Sequence, residues 1–481
     1  MKIVKRITAL SLAAVTAVSL AGCGGGTSPS GSQGTEGSSG PAASQGETTA
    51  AQTAKPEGKT KIVVWTNNRH DLEYMNQVVD QFNNENDHIE IEYVVQTENY
   101  ENLIQMATSS GEAPDVISRV NESYFMDFAN NGIIQPVNQW LYADEEFVKV
   151  NEPDKYMFEG INAVGDEVYY VPCGKRSGAR LIVNQDILDK NNLTMPAKLS
   201  DLVDVCKTIS DNGGGKEYGI VFPGASSPFE RWLEHSAEMS GITPYDYVNG
   251  RYDFTGYKEY CLFVRQLFDA GAVFPGSTSM KIDPSRVQFA DGVVGMEGNA
   301  SQEATVFTEQ FPAQCNWQVY QLPTLDGTIK GAEACNPNNG YQLSAITAHP
   351  DEAWEVISYF GSEEILKGYL EGGYTLPMSD YMNEVVDTSK IGRMADFAGA
   401  DYEAVYPAMP KVTPEGEPYR DALWNACLPD GPDIDQTIER LNKTYNEALD
   451  ADVAMGKVKR LVIRDFDPMS PNSGTMEYLD Q

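Results

Sequence analysis

Basic residues are scarce in this chain. Its 481 residues contain 35 Lys and Arg against 70 Asp and Glu, which gives a formal net charge of -35 at pH 7. A chain this acidic repels phosphate backbones, which disfavours a nucleic-acid-binding protein that relies on counterion release. Apolar residues still make up 41% of the sequence, enough to build packed cores. The composition therefore indicates an acidic globular protein and not a disordered acidic tail.

The sequence also lacks the common motifs of enzymes and metal sites. It has only four His, which form no HExxH pattern, and it has neither a CxxC pair nor a GxSxG elbow. The glycine-rich segment 212–217 has Glu after its Lys where a phosphate-binding loop needs Ser or Thr, which indicates a turn. Asp430, Asp433 and Asp435 do not have the spacing of a calcium loop. We therefore predict no cofactor, no metal site and no enzymatic activity.

The first residues predict export and lipid anchoring. Residues 1–22 contain three basic residues followed by a short apolar stretch, as in a secretory signal peptide. They end in Leu-Ala-Gly before Cys23, which resembles the bacterial lipobox, where the cysteine is acylated and becomes the new N-terminus. The alternative is an ordinary signal peptide that ends before an unrelated cysteine. On the lipobox interpretation, Cys23 anchors the protein to the extracytoplasmic face of the cell membrane.

Residues 23–58 predict a disordered tether. After its first cysteine, this segment consists mainly of Gly, Ser, Thr, Ala, Gln and Pro, so it cannot bury enough apolar area to offset its ordering entropy. No later apolar run approaches the ~18 residues that a membrane-spanning helix needs. The lipid is therefore the expected membrane attachment of a globular part that begins near residue 59.

The later cysteines do not define a disulfide framework. Cys206 and Cys261 lie in apolar patterns of helical spacing, and we predict buried free thiols there. Cys315 and Cys335 flank a strand, turn, strand pattern and could form a disulfide or stay reduced. A globular chain of this length does not need disulfides for stability.

Strand and helix patterns alternate through the globular part. Runs rich in β-branched residues are typical of buried parallel strands, and apolar residues at helical spacing follow them. The predicted strands are 61–66, 89–95, 114–117, 167–172, 179–184, 219–222, 293–297 and 343–346, with a hairpin around 317–322. The predicted helices are 71–82, 100–109, 200–211, 228–240, 257–270, 350–360 and 434–449. This alternation predicts an α/β fold with a mostly parallel sheet.

Several short motifs in a fixed order extend this prediction to a family. After the lipobox and tether, the motifs are the strand with Trp65 and its following helix, Gly111-Glu112-Ala113-Pro114-Asp115-Val116, Val168-Tyr169-Tyr170-Val171-Pro172, Leu181-Ile182-Val183-Asn184-Gln185-Asp186, Gly295-Met296-Glu297-Gly298-Asn299 and His349-Pro350-Asp351-Glu352-Ala353-Trp354. Each motif is weak alone, but together they span nearly the whole mature chain. The chain thus resembles the family 1 extracellular solute-binding proteins of ABC importers, the class that includes maltose-binding protein.

The resemblance implies a type II periplasmic-binding-protein fold. Each of two lobes would contain a mostly parallel sheet flanked by helices, and a ligand would bind in the cleft between them. The implied division is 59–172 plus 344–376 for lobe 1, 173–343 plus 377–460 for lobe 2 and 461–481 for a C-terminal extension, with crossings near 172–176, 340–344 and 373–377. The sequence does not show whether the extension packs on the fold.

The resemblance also implies which residues line the cleft. Aromatic faces would stack on sugar rings, and amide or charged groups would bind the hydroxyls. The candidate ligand-binding residues are Asn67, Arg69, His70, Arg119, Asn121, Lys175, Arg176, Arg180, Trp232, Asn299, Tyr341 and Tyr374. Trp232 could equally belong to the core, and His70 could be a surface residue.

The loop 174–180 carries three of these cations in an otherwise acidic chain. Arginine can bind a carboxylate or phosphate with two hydrogen bonds, and Arg69 and Arg119 would add to the site if they face the same cleft. One hypothesis is therefore an acidic ligand, such as a uronate-bearing oligosaccharide or a phosphorylated sugar. The alternative is that these charges are solvated or paired with acidic neighbours.

The resemblance implies a function in transport. We expect a monomeric lipoprotein that captures a carbohydrate, delivers it to the permease subunits of an ABC transporter and performs no catalysis. Two alternatives are a surface lipoprotein that hydrolyses polysaccharide and a ligand sensor for a signalling receptor.

Overall fold

The structure is a computed structural model that describes residues 58–399 and 401–480. The predicted signal peptide, the anchor at Cys23 and the tether up to residue 57 lie outside the described residues.

The described strands include nearly every predicted one. In chain order they are β1 (Thr60–Thr66), β2 (Ile89–Val95), β3 (Val116–Ser118), β4 (Ile134–Gln135), β5 (Ala163–Val164), β6 (Glu167–Val168), β7 (Gly174–Arg176), β8 (Arg180–Asn184), β9 (Tyr218–Ile220), β10 (Tyr245–Asp246), β11 (Arg251–Tyr252), β12 (Val294–Asn299), β13 (Trp317–Tyr320), β14 (Glu333–Ala334), β15 (Asn336–Asn338), β16 (Tyr341–Ser344), β17 (Leu376–Pro377), β18 (Glu403–Ala404), β19 (Arg460–Arg464) and β20 (Thr475–Leu479).

The described helices include counterparts of the predicted ones and several that the sequence did not predict. In chain order they are α1 (Leu72–Glu85), α2 (Tyr100–Ser110), α3 (Glu122–Asn130), α4 (Asn138–Leu141), α5 (Glu145–Asn151), α6 (Gln185–Lys190), α7 (Leu199–Gly213), α8 (Glu234–Met239), α9 (Lys258–Asp269), α10 (Ile282–Ala290), α11 (Glu303–Thr305), α12 (Pro350–Phe360), α13 (Glu363–Glu371), α14 (Asp380–Val385), α15 (Tyr419–Cys427) and α16 (Ile434–Ala454). A π-helical turn, Phe229–Leu233, leads directly into α8.

Two larger sheets organise the described chain. The first sheet has the strand order β2-β1-β3-β16-β4, and the second sheet has the order β13-β8-β12-β9. In the first sheet β16 runs opposite to the other four strands, and in the second sheet β8 runs opposite to the other three. Both sheets therefore consist mostly of strands that point the same way, as the α/β prediction states.

A third sheet connects segments that are distant in sequence. Its central strand β7 pairs antiparallel with β15 on one side and with β17 on the other. We call this the crossing sheet. Gly174 of β7 has no room for a larger residue, because an added Cβ would lie 2.4 Å from the Thr375 side chain.

Each large sheet has its own hydrophobic core. In the first, Ile62 and Val64 of β1 pack with the apolar face of α1 and with α12. In the second, Leu181 and Val183 of β8 pack with α7, α9, α15 and α16. On α1 the buried positions Met75, Val78, Val79 and Phe82 have the spacing of one apolar helix face.

The C-terminal residues pack on the core of the second sheet. Strands β19 and β20 form a hairpin in which Leu461 and Ile463 are fully buried. The Tyr245 hydroxyl donates a hydrogen bond to the Leu461 carbonyl at 2.9 Å. The segment that the sequence left open is therefore an added hairpin.

Two local predictions are wrong. The segment at Trp317 forms no hairpin with its neighbours, because β13 pairs with β8, whose residue Asn184 lies opposite Trp317. The strand predicted over 167–172 is limited to β6, because the following residues approach the crossing sheet as irregular chain.

The cysteines of the described chain are free thiols. Cys206 and Cys261 are fully buried, as predicted, and Cys315 and Cys335 do not form a disulfide. Among the described residues, no helix combines the length and apolar character needed to cross a membrane.

Candidate functional site

The loop between β1 and α1 holds three predicted site residues on the surface. Asn67, Arg69 and His70 are exposed. The Arg69 guanidinium donates to the Thr97 hydroxyl at 2.5 Å, and the His70 ring lies 6.2 Å from the Tyr374 ring. The structure therefore brings His70 and Tyr374 together at this edge of the first sheet.

The residue that follows this loop, Asp71, is buried. Only 1% of it is exposed, and one carboxylate oxygen accepts a hydrogen bond from the Tyr369 hydroxyl at 2.6 Å. Its other oxygen, Oδ1, has no hydrogen-bond partner among the described residues. A buried oxygen without a partner costs free energy unless a donor reaches it. Asp71 is not among the residues that the sequence analysis named, although an acid between a strand end and a helix start is a local signal.

Tyrosines surround the Asp71 carboxylate. The Tyr369 and Tyr374 ring centroids are 5.1 Å apart, and the Tyr93 and Tyr341 hydroxyls are 3.5 Å apart. Burial raises the pKa of Tyr93 to about 12, and the charge of Asp71 adds to the shift. Tyr341 is 7% exposed and packs on Phe360, so this predicted residue belongs to the first core as much as to the site.

The end of β3 supplies a second predicted group. Asn121 is exposed and caps α3, where its side chain accepts a hydrogen bond from the Ser123 N–H at 3.0 Å. The Arg119 N–H donates to the Gly340 carbonyl at 2.9 Å, which fixes the backbone beside β16. Burial raises the pKa of the Glu122 carboxyl, and the Arg119 guanidinium opposes that shift.

Arg176 lies at the end of β7 in the crossing sheet, and its side chain is exposed. Neither Arg176 nor Arg119 forms an ion pair with a carboxylate of the described chain. Partial desolvation lowers the pKa of Arg176, and the nearby positive charge of Arg119 lowers it further. The structure therefore places two guanidinium groups near each other without a carboxylate at ion-pair distance, although the charge of Glu122 acts on Arg119.

The other two cations of the 174–180 loop have acidic partners. Arg180 is 5% exposed, and its guanidinium lies 2.6 Å from Glu333 and 2.5 Å from Glu403. Lys175 lies 3.3 Å from the same Glu403 carboxylate. Both charges are paired within the fold, so we leave Lys175 and Arg180 out of the proposed site.

Trp232 lies inside the second core. It is 1% exposed, its ring is stacked near Phe222, and a Cβ added at Gly298 would lie 2.2 Å from it. Because Phe222 and Gly298 pack against its ring, we also leave Trp232 out of the proposed site.

The end of β12 carries a buried polar cluster. Asn299 is 2% exposed, donates to Glu303 at 2.8 Å and accepts from Arg231 at 3.4 Å. Glu297 is buried beside it, and burial together with the Glu303 charge raises the pKa of Glu297 well above its ordinary value. The neighbour that the sequence reasoning missed is Arg231, which has no recognisable local motif.

A cavity of about 180 Å³ opens beside the crossing sheet. Asn336 of β15 lines it, together with Glu122 at the start of α3 and with Glu234 and Arg420 on the side of the second core. The Arg420 guanidinium lies 2.7 Å from the Glu234 carboxylate. Elements that pack on both large sheets thus contribute walls to one space that is large enough for part of a small ligand.

The described chain contains no group of three or more His, Cys, Asp or Glu residues arranged to hold a metal ion. The side chains around the cavity and the strand ends are instead carboxylates, guanidiniums, amides and tyrosines, which bind hydroxyl and carboxylate groups.

Comparison with solved structures shows the fold. RafE from Streptococcus pneumoniae gives a TM-score of 0.63 at 18% identity, over 82% of this chain and 99% of that chain. The GacH receptor of Streptomyces glaucescens gives 0.62 at 17% identity, over 82% and 99%. The cyclic alpha-maltosyl-1,6-maltose binding protein from Arthrobacter globiformis gives 0.60 at 15% identity, over 82% and 100%. The fold is therefore the two-lobed fold of periplasmic binding proteins, as the family resemblance implies.

Sequence comparison identifies the family. No curated protein matches the chain. Residues 66–367, however, match the family described as bacterial extracellular solute-binding protein. Because this match covers more than half of the chain, the protein belongs to the bacterial extracellular solute-binding protein family.

Proposed function

We propose that this protein is the extracytoplasmic binding lipoprotein of an ABC importer. It captures a carbohydrate, in the form of an oligosaccharide, between its two lobes and delivers it to the membrane permease. It acts as a monomer and does not alter its ligand.

Its structural neighbours support a carbohydrate ligand. RafE has been solved in complex with raffinose, and GacH in complex with acarbose. The neighbour from Arthrobacter globiformis is named for a cyclic maltosyl-maltose. All three ligands are oligosaccharides or analogues of them, so we propose the same class for this chain.

The observation that carries this proposal is the buried carboxylate of Asp71 among tyrosines. Its oxygen Oδ1 has no partner in the described chain, and Tyr369 and Tyr374 lie beside it. A sugar hydroxyl is a suitable donor to that oxygen, while aromatic rings suit the apolar C–H face of a pyranose. A ligand with both a hydroxyl group and an apolar C–H face can bind Asp71 and the tyrosine rings at the same time.

Closure would use the crossing sheet as the hinge. The lobe boundaries remain those predicted above, 59–172 plus 344–376 and 173–343 plus 377–460. Small changes of backbone angle in short connecting strands rotate whole lobes and exclude water from a ligand. In this proposal the closed form is the one that the permease recognises.

Calorimetry with a panel of neutral and acidic oligosaccharides tests the proposal. At least one saccharide should bind and raise the melting temperature as its concentration rises. The same incubations should release no new reducing ends. Release of reducing ends would support the alternative of a polysaccharide hydrolase, and the absence of any saccharide binding would contradict the proposed function.

The anchor at Cys23 is tested separately by cell fractionation. Cys23→Ser should move the exported protein from the membrane fraction to the medium, because the thiol that receives the lipid is missing. Cys315→Ser is the matched control and should stay with the membrane. Membrane retention of both variants would contradict lipid attachment at Cys23.

A further inference from the structure

Two arginines near the crossing sheet stand out in an acidic protein. The chain has twice as many acidic as basic residues. Even so, the guanidiniums of Arg119 and Arg176 form no ion pair with a carboxylate of the described residues. Lys175 and Arg180, from the same short loop as Arg176, both have such partners. Lack of acidic residues therefore does not explain the unpaired arginines.

One continuous segment holds both arginines in place. Asn336 of β15 pairs with Arg176, and the Gly340 carbonyl accepts the hydrogen bond from the Arg119 N–H. Four residues of extended chain span at most about 13 Å. Two arginine side chains can close most of such a gap, so their guanidiniums can reach the same small group.

The surrounding chain makes this frame rigid. A Cβ added at Gly340 would lie 2.8 Å from the Tyr170 ring and 2.9 Å from the Val171 carbonyl. The charge of Arg119 also lowers the pKa of the buried Tyr170 hydroxyl, against the raising effect of burial. Arg119 therefore lies near a buried tyrosine and a second cation, and Glu122 is the acid whose charge also acts on it.

Two neighbouring guanidiniums repel each other, and an anion between them removes that repulsion. Sugar hydroxyls cannot do so, because they carry no charge. A carboxylate accepts two hydrogen bonds from a guanidinium in a planar arrangement, and such charge-assisted bonds are stronger than neutral ones.

We infer that Arg119 and Arg176 together bind a carboxylate of the ligand, so that the captured oligosaccharide contains a uronic acid unit. This inference rests on the proposed function, because it names the class of saccharide that the same cleft takes. The ligand carboxylate binds Arg119 and Arg176, while the sugar hydroxyls bind Asp71.

Matched saccharides that differ only in charge test this inference. Oligogalacturonates, oligoglucuronates and oligomannuronates are compared by calorimetry with their own methyl esters, which have the same rings but no carboxylate. At least one acid should bind about 10 to 100 times more tightly than its ester, the range expected for charge-assisted hydrogen bonds. Equal binding of every acid and ester, or binding of neutral saccharides alone, would overturn the inference while leaving the proposed function intact.

Variants assign the preference to the two arginines. In Arg176→Gln and Arg119→Gln, the ratio of acid to ester affinity should fall to about one, whereas Arg176→Lys should keep part of it because the charge remains. Arg251→Gln is the control, since Arg251 is an exposed arginine on β11 whose nearest acid is 3.9 Å away. Circular dichroism and melting temperature confirm that each variant is folded.

The remaining outcomes are also decisive. An unchanged ratio in both glutamine variants would overturn the assignment to these residues. If a phosphorylated sugar binds through the arginines and no uronate does, the claim that the bound group is a carboxylate would be wrong. If no saccharide of either kind binds, the proposed function itself fails.

Discussion

Arg176, at the end of β7, and Arg180, at the start of β8, lie four positions apart and have opposite environments. Arg180 is buried between two carboxylates, whereas Arg176 is exposed beside another arginine. A buried ion pair satisfies its charges within the fold, so its loss affects stability. An exposed cation without a partner contributes little to stability and remains available to a ligand. Residue type and position in sequence therefore do not distinguish the two roles, but the partners do.

The largest expected effect is the loss of stability when the buried Arg180 is replaced. Arg180→Met leaves Glu333 buried without its ion-pair partner and Glu403 with Lys175 alone, which should lower the free energy of unfolding by about 3–5 kcal/mol. Arg176→Met should lower it by less than about 1 kcal/mol. Urea denaturation followed by tryptophan fluorescence measures both values. Similar losses of stability in the two variants would contradict the distinction between a structural Arg180 and a ligand-binding Arg176.

The next largest effect is the pH dependence of stability that comes from His235, near Glu333. His235 lies 3.2 Å from Glu238, and although burial alone would lower its pKa, the Glu238 carboxylate raises the pKa of His235 from 6.5 to about 9. Glu333 and Glu234 add to this increase. The folded state thus holds a proton that the unfolded state releases above pH 6.5. The stabilisation is complete below pH 6.5 and is lost as the pH rises through about 9.

His235→Gln should flatten this part of the stability curve. The wild-type protein should lose about 3 kcal/mol between pH 6 and pH 10 that the variant does not lose. His88→Gln is the control, because His88 is exposed beside Glu355. Urea denaturation at several pH values gives the curves. A wild-type curve that the His235 variant reproduces would contradict the role of this pair.

A third test separates the sugar ring from its charge. Asp71→Asn should weaken binding of acidic saccharides and their neutral esters alike, by about tenfold, because the hydroxyl acceptor loses its charge. The ratio between acid and ester should not change. Asp80→Asn, on the exposed face of α1, is the control. A change in the ratio alone would mean that Asp71 senses the carboxylate and not the hydroxyls.

The smallest effect is expected at Arg69. This exposed arginine bonds Thr97. Arg69→Gln should change the affinity for acidic saccharides by less than about twofold and the free energy of unfolding by less than about 0.5 kcal/mol. Calorimetry and urea denaturation measure the two quantities. A loss of affinity as large as that of Arg176→Gln would extend the cationic site to the loop after β1.

Local signals predict much of the fold. The strand 89–95 and the helix 350–360 have the predicted bounds in the structure. The first alternates isoleucine with glutamate before two valines, and the second begins with proline followed by acids at the positive end of the helix dipole. Such signals lie within a few residues of the element that they define, so the sequence alone reveals them.

Non-local contacts account for what the sequence did not reveal. The partner of β13 is β8, and the carboxylates that neutralise Arg180 lie on β14 and β18. From the sequence, Trp232 is equally suited to a sugar contact and to the core. In the structure it is buried against Gly298. Only the fold brings these residues together. Residue types therefore mark both Arg176 and Arg180 as candidate ligand-binding residues but do not show which of them is ion-paired.

A crystal structure of the protein with its tightest-binding saccharide tests the central claim most directly. We predict a ligand between the two lobes, with a hydroxyl within hydrogen-bond distance of Asp71 Oδ1 and a carboxylate within the same distance of both Arg119 and Arg176. A saccharide bound elsewhere, or one in this cleft with only hydroxyl groups at the two arginines, would contradict the account.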